Sequence, residues 1–162
     1  IGFIRLKEYN SDKQPRAAVK PPIMKGDKLM KFIEIQNEVI KKYRIDLCDG
    51  TKCKNDWSRT HAHPKQRRVC KWKQSNGVVS TFNLFHEIGH IENNNSKMRR
   101  CEEEYYATVW AIDRMREYRI LDKVSDKVKK LYQEYIYDEY DRGVRRGGKG
   151  YPSKEELTLD WK

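Results

Sequence analysis

The sequence predicts an α+β fold in which a short mixed or antiparallel sheet accompanies several helices. Three observations predict it. Apolar residues recur at helical spacing in separate segments, including 27–43 and 122–140. Short strand-like runs end in turn signals, as in Ile45-Asp46-Leu47-Cys48 before Asp49-Gly50. Apolar residues make up 37% of the 162 residues and charged residues 36%, which suits one domain with a small core and polar ends. The expected organisation is an extended arm over 1–28, a folded domain over 29–140, and a basic glycine-rich loop and tail over 141–162.

The arm carries Pro15, Pro21, Pro22 and Gly26 among many charges, and Ile1–Leu6 in it has the makings of a short strand. From Asp27, a plausible cap, to Tyr43, the residues Leu29, Phe32, Ile33, Ile35, Ile40 and Tyr43 outline an amphipathic helix. Ile45–Cys48 is the first strand of the domain. Residues 51–66 read as loop. Arg67-Arg68-Val69-Cys70-Lys71-Trp72-Lys73 alternates as an exposed strand does, and is the expected edge of the sheet. The apolar run Val78–Phe85 ends in a helix that continues through His90, with Ser80 or Thr81 as its cap and Asn93-Asn94-Asn95-Ser96 as its end. A second helix runs from Cys101 to about Tyr118. A third pattern, over 122–140, turns Val124, Val128, Leu131, Tyr135 and Ile136 inward. The tail from Tyr151 either folds back through Leu157, Leu159 and Trp161 or stays unstructured.

Net charge is +11. Residues 51–80 hold eight Lys or Arg against Asp56 alone, a local excess of +7. A concentrated field of this sign attracts acidic protein segments or nucleic acid, and also serves simple solubility. No apolar stretch has the length of a membrane helix and no signal-peptide pattern opens the chain, which together predict a cytoplasmic protein without a membrane partner. The cysteines at 48, 53, 70 and 101 are then expected to be reduced. Cys48, Cys53 and Cys70, with His61 and His63, are enough donors for a second metal, though their spacing matches no standard finger.

The most informative residues are His86-Glu87-Ile88-Gly89-His90. Positions i and i+4 of a helix share a face, so both imidazoles can bind one metal ion. The ion lowers the pKa of a bound water from about 15.7 to roughly 7, and Glu87 is placed to take its proton. Gly89 inside a helix costs about 1 kcal/mol relative to Ala, which suggests a neighbour that approaches closely. A catalytic zinc has three protein ligands, and the third is expected from the next helix. Glu104 heads a stripe of small residues with Ala107, Thr108 and Ala111; Glu103 is the reserve, and Glu102 suits the positive end of the helix. His61, His63, Tyr105 and Tyr106 are the candidates to stabilise an oxyanion.

Phe85-His86-Glu87-Ile88-Gly89-His90 followed by Glu104-x-x-Ala107-Thr108-x-x-Ala111 resembles the ImmA/IrrE-type metallopeptidases. The likeness is concentrated in residues 80–111. Thr108 stands where that family usually has Asp or Asn, and Ile112-Asp113-Arg114-Met115 replaces its Leu-Met-Pro-like helix end. The resemblance implies a small zincin-like domain with a gluzincin-like site: Zn2+ on His86, His90 and Glu104, with Glu87 as general base. It also implies a protein substrate, often a DNA-binding regulator. The expected function is zinc-dependent peptide hydrolysis. The alternative is a nucleic-acid-binding or antagonist protein on a peptidase-like scaffold, using the basic residues of 51–80.

Overall fold

The computed structural model describes residues 31–51 and 59–162. The expected arm, its Ile1–Leu6 strand, Asp27, Leu29 and Cys53 lie outside the described residues. Within them the fold is α+β, with four α-helices and a three-stranded mixed sheet. The order is α1 (Phe32–Lys42), β1 (Asp46–Cys48), β2 (His61–His63), β3 (Arg68–Cys70), α2 (Val78–Glu92), α3 (Arg100–Glu117) and α4 (Asp126–Arg145).

Helix α1 starts where Glu34 accepts a hydrogen bond from the Lys31 backbone N–H at 3.0 Å, satisfying one of the donors a helix start leaves open. Ile35 and Val39 enter the core, whereas Ile33 of the apolar pattern is exposed. Gln36 is fully buried, a position the hydrophobic pattern does not reveal. Its Nε2 donates to Ser75 O at 2.8 Å and to Thr81 Oγ1 at 2.7 Å, clamping the loop that leads into α2.

The strand order is β1-β3-β2, with β1 parallel and β2 antiparallel to β3. This corrects the expectation that 67–73 is the sheet edge. Left-handed residues Arg67 (φ 50°) and Lys71 (φ 57°) confine β3 to three residues, and both its flanks are paired. Val69 and Cys70 are fully buried. The arginines that suggested exposure hold the sheet in place instead. Arg67 donates to Tyr43 O and pairs with Glu92 at 2.6 Å, and Arg68 pairs with Asp46 at 2.7 Å. The outer strand beside α2 is β2, in a stretch whose sequence reads as loop because three residues carry too little alternation to register.

Helix α2 is the centre of the molecule. Phe82, Leu84, Phe85 and Ile88 are fully buried on it, and its broadest packing is against α3. Ser80 and Thr81 do not cap it. The helix begins at Val78 behind Gly77, and the two hydroxyls donate backwards, to Lys73 O at 2.8 Å and Gly77 O at 2.9 Å. Where α2 crosses α3, a Cβ on Gly89 would lie 2.5 Å from Ala107 O and 2.8 Å from Ala107 Cα. That backbone-to-backbone approach is the close neighbour the sequence implies. Gly89→Ala is therefore expected to destabilise the fold, because overpacking of about 1–3 kcal/mol outweighs the roughly 1 kcal/mol gain in helix propensity. A lower thermal midpoint checks it.

Helix α4 is capped by Ser125, whose Oγ accepts from Val128 N, and it continues to Arg145 through part of the expected basic loop. Ile136 is buried as expected, but Leu131 is 62% exposed and Tyr135 37%. The tail folds back. Leu157 and Leu159 are buried, held by both ends of the Gln133 amide, and Trp161 meets Phe82 with ring centroids 5.6 Å apart.

Candidate metal centre

The α2–α3 crossing determines what the site contains. One helical turn separates His86 from His90 on α2, and the Gly89–Ala107 contact brings α3 close enough for Glu104 to meet both. His86 Nε2 lies 3.1 Å from Glu104 Oε2 and 3.2 Å from His90 Nε2, and His90 Nε2 lies 3.4 Å from the same carboxylate oxygen. Ligands about 2.0–2.1 Å from a tetrahedral zinc stand about 3.3 Å from one another. The triangle therefore has the dimensions of three corners of a zinc tetrahedron. Glu103 points elsewhere, to Arg100, and Glu102 accepts the Arg99 backbone N–H at the start of α3.

Proton placement agrees. Thr108 Oγ1 donates its one proton to Glu104 O at 2.7 Å, so toward His86 Nδ1, 3.2 Å away, it accepts. His86 thus carries its proton on Nδ1 and presents the Nε2 lone pair to the triangle. Burial, the largest influence, holds this imidazole below its ordinary pKa and so keeps it in the ligating form. Burial alone would raise the Glu104 carboxyl; the two imidazoles beside its Oε2 overcome this and hold it well below the usual range. Arg100 pairs with the other oxygen, Oε1. Thr108 is thus the partner that orients the candidate ligand His86. Thr108→Val is expected to weaken metal binding by roughly 10–100-fold, the usual effect of losing such a partner, measured by competition with a chromophoric chelator.

Glu87 sits beside the triangle without joining it. Its carboxylate takes a hydrogen bond from the Ala62 backbone N–H of β2, and burial is the main reason it is pushed up to about 7. The site opens into a cleft of about 830 Å³. Val79, Val128 and Leu131 supply an apolar wall, which explains why Leu131 is apolar yet exposed.

The four candidate helpers separate. His61 borders the cleft, but its Nδ1 lies 2.8 Å from Arg59 O, and a carbonyl can only accept. The proton of neutral His61 is therefore committed. His63 is not among the lining residues; its ring stands 5.0 Å from that of His61. Tyr105 packs on the core, and Tyr105 and Tyr106 stack edge to face at 5.3 Å; neither lines the cleft. The tyrosines that do are Tyr132 and Tyr135 of α4. Tyr132 lies 5.1 Å from the His86 ring and donates its proton to Asn83 Oδ1 at 2.6 Å. Tyr135 is hydrogen-bonded to Arg100, and a guanidinium only donates, so Tyr135 keeps its own proton available.

No family model, curated protein or solved structure matches this chain. The site is read from its own geometry. Among the described residues no helix is long and apolar enough to cross a membrane.

Proposed function

We propose that this protein is a zinc-dependent metallopeptidase that hydrolyses peptide bonds in a protein substrate. One observation carries the reading: two imidazole nitrogens and a carboxylate oxygen converge at 3.1, 3.2 and 3.4 Å on the floor of an open cleft, with a second carboxylate beside them. The donor set of two histidines and one glutamate suits zinc with a position left for water.

Zinc bound there supplies Lewis acidity, making water acidic near neutral pH and polarising a carbonyl. The chain's own residues do the remainder. Glu87 takes a proton at its carboxylate from the attacking water and delivers it to the leaving nitrogen. The Ala62 N–H holds that carboxylate in place. Tyr135, with its proton uncommitted, is the donor we assign to the developing oxyanion. The outer strand β2 is where an extended substrate adds to the sheet. Arg59 and Lys71 border the same cleft and favour an acidic segment. The zincin-like assignment, a DNA-binding regulator as substrate and a cytoplasmic setting all belong to this proposal through the ImmA/IrrE-type resemblance. The nucleic-acid alternative is weakened because Arg67 and Arg68, two of its basic residues, are engaged in ion pairs within the fold.

A proteome-derived peptide library, incubated with zinc-loaded protein and analysed by mass spectrometry, tests the reading. New peptide termini that vanish after chelation and return with zinc are expected. Identical termini with and without zinc would overturn it.

A further inference from the structure

His61, His63 and Cys70 bring their ligating atoms within 4.8 Å of one another, apart from the centre on α2 and α3 and sharing no residue with it. We propose that this cluster is a second, structural zinc site that locks the three strands together.

Strand register builds it. His61 is the direct partner of Cys70 across the β2–β3 ladder, and His63 lies two residues further along β2, so all three side chains leave the same face of the sheet. Ala62 and Val69 between them face the other way, into the core. On the opposite flank Cys48 is in register with Cys70. Adjacent strands are about 4.8 Å apart, so Cys48, Cys70 and His61 form one row across the sheet, with Cys48 outside the three-donor cluster.

His61 is oriented for a metal. His61 gives its Nδ1 proton to Arg59 O, which leaves Nε2 as its ligating atom; ligand histidines are commonly oriented by such a backbone carbonyl. Cys70 is fully buried and His61 nearly so. Two imidazoles and a thiol select zinc over the hard cations. Such a site gives three-residue strands, too short to hold together by themselves, a fixed geometry. It also fixes β2, which presents the Ala62 N–H to Glu87.

Titration of the metal-free full chain with Co2+ tests the site. The centre on α2 and α3 has no sulfur, so a near-ultraviolet thiolate-to-cobalt charge-transfer band reports the second site alone. The wild-type protein is expected to take up about two equivalents, the number of sites proposed, and to show this band. The band should persist in His90→Ala, disappear in Cys70→Ser, and require more than tenfold higher cobalt in His63→Ala, whose outlying position spares the core. Cobalt saturation without a thiolate band in the wild-type protein would overturn the site, whatever the fate of the α2–α3 centre. A band unchanged in His63→Ala would overturn it equally, and neither result depends on whether Cys70→Ser folds.

Discussion

Glu87→Gln is expected to abolish peptide hydrolysis while leaving the metal bound. The substitution preserves the shape of the side chain, and its amide oxygen can still accept the Ala62 N–H that holds Glu87. What it removes is the ability to take up and release a proton. General acid–base catalysis of this kind contributes roughly 10²–10⁴-fold, which is about 3–5 kcal/mol of barrier at 1.36 kcal/mol per tenfold. Metal content should not change, because the triangle is closed by His86, His90 and Glu104 alone. The measurement is kcat/KM on a peptide taken from the library experiment, paired with elemental analysis. Retention of more than a tenth of the activity would place the proton acceptor elsewhere.

Glu104→Ala should have the opposite signature, losing the metal and the activity together. It deletes one of three ligands, so its effect on affinity should exceed the roughly 10–100-fold typical of an outer partner such as Thr108. Zinc at a hundred times its dissociation constant adds about 2.7 kcal/mol to the stability of the folded state, and the variant forfeits this centre's share. It also removes the buried carboxylate that Arg100 pairs with, although Arg100 keeps its bond to Glu103. The control is built into the same helix. Glu103→Ala should keep the zinc, because Glu103 faces Arg100 and not the histidines. Competition titration distinguishes the two variants, and a Glu104→Ala protein with wild-type affinity would remove Glu104 from the ligand set.

Much of the candidate metal centre was legible in the sequence because helices have a fixed period. The i, i+4 spacing of His86 and His90 places them on one face wherever the helix packs, and the small-residue stripe of Glu104, Ala107, Thr108 and Ala111 marks a face that approaches another backbone. Gly89 fits the same logic, opposite Ala107. The sheet was harder to read. A three-residue strand has one alternation, so His61-Ala62-His63 looks like loop, and its partner Arg68-Val69-Cys70 looks like an edge because its arginines are charged. Only the fold reveals that those charges are matched by Asp46 and Glu92. Helix α4 misled for a different reason. An apolar stripe either enters a core or lines a cleft, and Leu131 and Tyr135 do the latter. Which tyrosine keeps a proton to donate depends on Asn83 and Arg100, contacts between separate helices that no local pattern encodes.

Anomalous X-ray diffraction at the zinc absorption edge, from crystals of the full chain grown with zinc, tests the central claim most directly. A strong peak is expected between His86 Nε2, His90 Nε2 and Glu104 Oε2, at bonding distance from all three. Crystals with no anomalous density at that position, and the three side chains ordered there without it, would contradict the account.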